Sequence, residues 1–200
     1  MISIFEKDFE KVQTYKEVYF LPNGVEDSME NEDFETYIAT KYDKVDTIEV
    51  LYRAHMMKDK GYWEVLELAK MTKGQNVRYH FAGSWKDKES ETDFFDFVKV
   101  HGLEEQVVYH GFVLGDEKVS LFKSTHLLLY TSKNDAFPLT LLEALSFGVP
   151  TLATDEGSIP DILAVKRGII SADVNKLPQA LDKAMNEIIN LDTSKYLPIT

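Results

Sequence analysis

The stretch from His126 to Asp161, HLLLYTSKNDAFPLTLLEALSFGVPTLATDEGSIPD, constrains the fold of this chain more than any other. His126 to Thr131 is a largely apolar run closed by Ser132, Lys133, Asn134 and Asp135, the pattern of a strand buried on both faces. Pro138 falls where the first helical residue should be; its missing N–H costs nothing there and its fixed φ suits the first turn. LTLLEALSF is dense in helix formers, Gly148 supplies the stop, and Val149 to Thr154 reads as a second strand. Strand, tight loop, helix, strand is one βαβ crossover.

Glu143 is the odd residue inside that unit. Leu139, Leu141, Leu142, Ala144 and Leu145 surround it, so the helix is apolar nearly all round and is expected to be buried. A carboxylate there is costly unless it is hydrogen-bonded. One reading has Glu143 capping a backbone amide or pairing with a lysine. The other has it facing a crevice, where it accepts from ligand hydroxyls, because a helix after the carboxyl end of a parallel strand begins at the ligand crevice of an open α/β sheet.

The remaining chain repeats the alternation. Strands are expected at Glu17 to Leu21, Asp46 to Ala54, Asn76 to Ala82, Gln106 to His110 and Arg167 to Ser171. Helices are expected near Phe34 to Thr40, from Tyr62 to Met71, Lys86 to Val100 (with Phe94, Phe95, Phe97 and Val98 inward), Asp116 to Ser124, and Leu177 to Leu191. Pro22-Asn23-Gly24 reads as a turn, and Ser158 as the cap of a short helix from Ile159 to Leu163. The sum is an α/β fold, a doubly wound Rossmann-like parallel sheet of about six strands. Residues 1–16 read as a lead-in, 17–191 as the domain and 192–200 as a tail.

Composition removes whole classes of function. A formal net charge of −12 argues against a nucleic-acid partner, while leaving room for one phosphorylated ligand held by local cations. The absence of cysteine removes disulfides and thiolate metal sites, and the five histidines show no metal-ligand spacing. Neither a GxGxxG fingerprint nor a Walker A loop is present, which argues against a dinucleotide oxidoreductase and a P-loop nucleotidase. No apolar run approaches bilayer length and the N-terminus lacks a signal-peptide core. The expected location is cytoplasmic, with room for peripheral membrane contact.

Asp135, seven intervening residues, Glu143, then Ala144, Gly148, Val149, Pro150 and the TLATDEGSIPD tail together resemble the signature of retaining GT-B glycosyltransferases of family 4, the group 1 glycosyl transferases. That family usually has Glu at both acidic positions, an E-G-F-G-like start and a G-G-x-P-E end; this chain has Asp135, DAFP and GSIPD. A strand ending in P-N-G-V marks, in the family, the passage from the first GT-B domain into the second, so the resemblance covers a single GT-B half-domain. It implies a nucleotide-sugar donor, a UDP- or GDP-sugar, with no metal or other cofactor, and an acceptor supplied by an N-terminal GT-B domain in cis or in trans.

The resemblance also assigns roles. Asp135, Lys60 and Glu143 become the catalytic set: Asp135 on a donor-sugar hydroxyl, Lys60 (before Gly61) on the diphosphate, Glu143 on the ribose hydroxyls. Phe112 and Val113 line the base end, and the amides of Phe137, Leu139 and Thr140 point at the sugar and diphosphate. Gly83, read from its own position where a strand meets the crevice, either lets a ligand approach the backbone or makes an ordinary turn. His55 stands where the family carries a second basic residue, normally Arg; histidine cannot make a bidentate fork to phosphate, so the diphosphate site is expected to be weaker than the family norm or repaired by Arg53 or Lys58. Two functions follow. The chain is either the donor-binding half of a retaining glycosyltransferase or a non-catalytic GT-B-like interaction domain with a degenerate donor site.

Overall fold

The structure, a computed structural model, describes residues 2–3, 19–20, 24–133, 135, 137–157, 159–164, 170–171 and 173–191. Two short strands, β1 (Ile2–Ser3) and β2 (Tyr19–Phe20), pair in parallel apart from the main sheet. Helix α1 (Phe34–Lys41) begins where the Asp33 side chain accepts from the Thr36 amide at 3.2 Å. Strands and helices then alternate: β3 (Ile48–Arg53), α2 (Tyr62–Met71), β4 (Val77–Ala82), α3 (Lys88–His101), β5 (Val107–Gly111), α4 (Gly115–Ser124), β6 (Leu127–Tyr130), α5 (Leu139–Ser146), β7 (Thr151–Ala153), α6 (Ile159–Ala164), β8 (Ile170–Ser171) and α7 (Leu177–Ile189).

The main sheet has six strands in the order β5-β4-β3-β6-β7-β8, every pair parallel. Side-chain alternation sorts two cores onto its faces. Ile48, Val50 and Tyr52 of β3 join α2, α3 and α7; Leu51 joins Leu128, Tyr130 and the apolar residues of α4, α5 and α6. A sheet covered on both faces explains why β6 is buried at every residue, as its unbroken apolar run predicts. From β3 the chain steps outward to β4 and β5, then crosses back to β6 on the other side of β3. The strand order therefore reverses between β3 and β6, the place where doubly wound sheets open a crevice at their carboxyl ends.

Three local expectations are corrected. Pro138 has ψ 107° and sits ahead of α5, which starts at Leu139. Helix α5 is not buried all round: Leu141 and Ala144 are, but Leu139 is 45% exposed, since positions two apart on a helix point about 200° away from each other. On α3, Phe94 and Val98 turn inward while Phe95 is 45% exposed, since adjacent helical positions lie 100° apart and cannot share one face. The Pro22-Asn23 turn, the Ser158 cap, residues 167–169 of the expected last strand and the tail from residue 192 lie outside the described residues. Among the described residues no helix is long and apolar enough to cross a membrane.

Candidate functional site

The loop after β3 brings Lys60 to the crevice. Residues Lys58–Lys60 form one 3-10 turn, and Gly61, at φ +83°, turns the chain into α2. Only glycine fits there: a Cβ would lie 2.1 Å from the Thr131 carbonyl oxygen. Three hydrogen bonds strap this loop to the sheet. Tyr52 Oη donates to the Lys60 carbonyl at 3.1 Å, Thr131 Oγ1 to the Gly61 carbonyl at 2.7 Å, and the Lys133 amide to the Asp59 carbonyl at 2.9 Å. Lys60 Nζ so held meets Asp135 Oδ2 at 2.8 Å, with both side chains about one-fifth exposed (24% and 17%). Tyr130, the last residue of β6, donates its hydroxyl to the same Asp135 oxygen. Burial, and then the hydrogen bond to Asp135 and the charge of that carboxylate, raise the Tyr130 pKa above the ordinary phenol value, so this hydroxyl is a donor across the whole working pH range.

Glu143, one turn into α5, is held from two sides. Arg53 Nη1 at the end of β3 lies 2.7 Å from Oε2, and Lys118 Nζ from α4 lies 2.8 Å from Oε1. Arg53 also reaches Thr140 Oγ1 at 3.5 Å. The Glu143 side chain is 15% exposed, so two charge-assisted bonds compensate its desolvation. Three cations thus face two carboxylates at the switch point. Among the described residues no group of three or more His, Asp or Glu is placed to hold a metal ion.

Six of the residues marked by sequence line one pocket of about 130 Å³: Arg53, His55, Gly83, Phe112, Val113 and Thr140. Strand β3 ends at Arg53, so His55 lies beyond it, yet both reach this pocket. Phe112 is 64% exposed at the rim and Val113 is buried. Gly83 answers to the protein itself: a Cβ there would lie 1.8 Å from the Ala54 carbonyl oxygen. Lys60, Asp135, Glu143, Phe137 and Leu139 stand outside the pocket wall, with Glu143 joined to it through Arg53 and Thr140. Lys58 is displaced from the site altogether, on Asp93 at 3.6 Å and over the Trp63 ring. A larger apolar cavity, about 250 Å³, lies at the opposite end of the sheet between α1, α7 and the starts of β6 and β7. Of the charged cluster, Arg53 lines the smaller one and ties it to Glu143.

Sequence reasoning missed Lys118 and Tyr130. Lys118 is one of several charges on an amphipathic helix and carries no local mark. Tyr130 is the one hydroxyl in the LLLY strand, which was a usable signal, since a buried phenol needs a partner.

Residues 33–196 match the family model described as glycosyl transferases group 1. The chain is 27% identical over 138 residues to a 41.2 kDa protein of the cps region of Klebsiella pneumoniae, covering 68% of this chain and 36% of that protein. It is 28% identical over 102 residues to mannosylfructose-phosphate synthase of Agrobacterium fabrum, covering 48% and 22%. The chain therefore spans about a third or less of the length of these relatives. Among solved structures, the C-terminal domain of a group 1 family glycosyl transferase from Francisella tularensis matches with a TM-score of 0.65 at 20% identity, over 86% of this chain and 98% of that domain. An Anabaena protein, HepE, solved in complex with UDP, matches with a TM-score of 0.68 at 14% identity, over 85% and 48%. Those structural matches speak for the fold, one half of a GT-B architecture, and with the match across residues 33–196 the chain belongs to the glycosyl transferases group 1.

Proposed function

We propose that this domain binds the nucleotide-sugar donor of a retaining, metal-independent glycosyltransferase, with the acceptor supplied by an N-terminal GT-B domain in cis or in trans. The observation that carries the reading is the cationic cluster of Arg53, Lys60 and Lys118 around Asp135 and Glu143, beside a pocket at the sheet's switch point. The UDP bound in HepE supports the ligand class, a UDP- or GDP-sugar.

In this reading Phe112 and Val113 line the base end and Glu143 accepts from ribose hydroxyls, each carboxylate oxygen having capacity beyond its present cation. Asp135, held by Lys60 and Tyr130, orients a hydroxyl of the donor sugar; its short side chain keeps that contact close to the loop. The amides of Phe137, Leu139 and Thr140 lie at the start of α5, where N–H groups and positive potential favour an anion. The bond from the anomeric carbon to the diphosphate oxygen breaks, the acceptor oxygen bonds to that carbon on the same face, and the acceptor proton passes to the departing diphosphate. Lys60 and Arg53, with His55, stabilise the charge growing on that leaving group.

A second reading, a non-catalytic interaction domain, is favoured by one observation: both carboxylates are already satisfied by protein cations. Calorimetric titration of UDP, GDP and their sugars separates the two. Glu143→Ala and Lys60→Ala should each weaken nucleotide-sugar binding by roughly 1–3 kcal/mol, as for lost charged hydrogen bonds. Absence of heat with every nucleotide, in a folded wild-type chain, would contradict donor binding.

A further inference from the structure

We infer that Lys118 is a positioning residue for donor binding, fixing the plane of the Glu143 carboxylate so that it meets ribose hydroxyls in one orientation; this rests on the donor reading above. Glu143 stands on α5, Arg53 at the end of β3 and Lys118 on α4, so three separate elements converge on one carboxylate. Arg53 takes Oε2 at 2.7 Å and Lys118 takes Oε1 at 2.8 Å. With a cation on each oxygen the carboxyl group cannot rotate without breaking a charge-assisted bond. Both contacts sit where solvent screening is weak: the three side chains are 15–25% exposed.

Arg53 alone would leave Oε1 unrestrained and the terminal torsion of Glu143 broad, as such torsions are. Lys118 removes that freedom. It also links two walls of the site, because α4 begins immediately after the Phe112-Val113-Leu114 loop, whose first two residues line the pocket. A displacement of that loop is therefore transmitted to the acid on α5. Lys118 needs no contact with the ligand for this role.

The test is a cycle between variant and ligand. UDP and GDP, and their 2′,3′-dideoxy analogues, are titrated into the wild-type chain and into Lys118→Met and Lys118→Arg, with the unfolding midpoint recorded for each. Lys118→Met should weaken the better-bound ribonucleotide about tenfold, the value of one charged hydrogen bond. It should leave the dideoxy analogue within about twofold, since no hydroxyl then meets Glu143. Lys118→Arg, which keeps a cation within reach of Oε1, should restore ribonucleotide binding to within about threefold of wild type. Equal losses for the ribose and dideoxy ligands would show a merely structural role and overturn the inference. Unchanged binding in Lys118→Met would overturn it too, with donor binding intact. A wild-type chain that binds neither UDP nor GDP would instead remove the donor reading, and this inference with it. Should Lys118→Met fail to fold, Lys118→Gln carries the same comparison, with the loss again expected for the ribonucleotide and not for the dideoxy analogue.

Discussion

Replacing Lys41 by Met tests how this fold holds a charge away from its functional end. Lys41 closes α1 and places its ammonium against the carbonyls of Phe122 at 3.1 Å and Phe147 at 3.4 Å, with the Tyr37 hydroxyl at 2.9 Å. Those carbonyls end α4 and α5, so the cation serves two helix C-termini at once. No carboxylate pairs with it among the described residues. Burial pushes its pKa from the ordinary 10.5 down to about 7. The folded chain therefore releases a proton that the unfolded chain keeps, and stability rises with pH between about 7 and 10.5 and is lost as pH falls through about 7.

Each pH unit well inside that window is worth about 1.4 kcal/mol, with half that slope at the folded midpoint, so wild type gains about 2 kcal/mol from about pH 7 to about pH 9. Other shifted groups stay silent over this interval. His110 and His126, depressed chiefly by burial, are already neutral, and the buried Tyr42 and Tyr52, raised by burial, are still protonated. Urea unfolding at the two pH values reads the effect: at an m-value of about 2.5 kcal/mol/M the wild-type midpoint moves up by about 0.8 M. Lys41→Met, which keeps the aliphatic volume and has nothing to titrate, should show a flat profile. Parallel profiles in the two proteins would refute the reasoning, because the pH dependence would then arise elsewhere.

Two further outcomes follow from packing and exposure. Gly61→Ala should cost about 2–4 kcal/mol in thermal unfolding, since its Cβ would meet the Thr131 carbonyl at 2.1 Å in a left-handed conformation; a wild-type midpoint would mean the loop carrying Lys60 is not strapped as described. Phe112→Ala should leave stability within about 0.5 kcal/mol, its ring being 64% exposed, while weakening UDP or GDP binding measured by calorimetry; undiminished binding would exclude Phe112 from the base end.

The site was legible in part, and the division has a physical cause. Asp135, Glu143 and Lys60 stood out because each breaks a local pattern: an acid in an apolar helix, an acid at a strand end, a lysine before a helix-opening glycine. Lys118 breaks no local pattern and its partner lies 25 residues away in sequence, whereas Tyr130 does break one, as the single hydroxyl of an apolar strand whose partner Asp135 is only 5 residues on. Arg53 illustrates the intermediate case. Its position at the end of a strand was readable, and so was its nearness to the crevice, but its hydrogen bond to Glu143, 90 residues away, was not.

By itself the sequence determined the alternation of strands and helices, the parallel sheet and the carboxyl end at which its crevice opens. Hydrophobic period, glycine and proline are local properties, and a βαβ crossover admits essentially one hand. Which face of α5 stays exposed, and which cation meets which acid, were decided by tertiary structure alone. Ion pairing depends on the last few ångströms between side chains on separate elements, and those distances are set by how helices pack on the sheet.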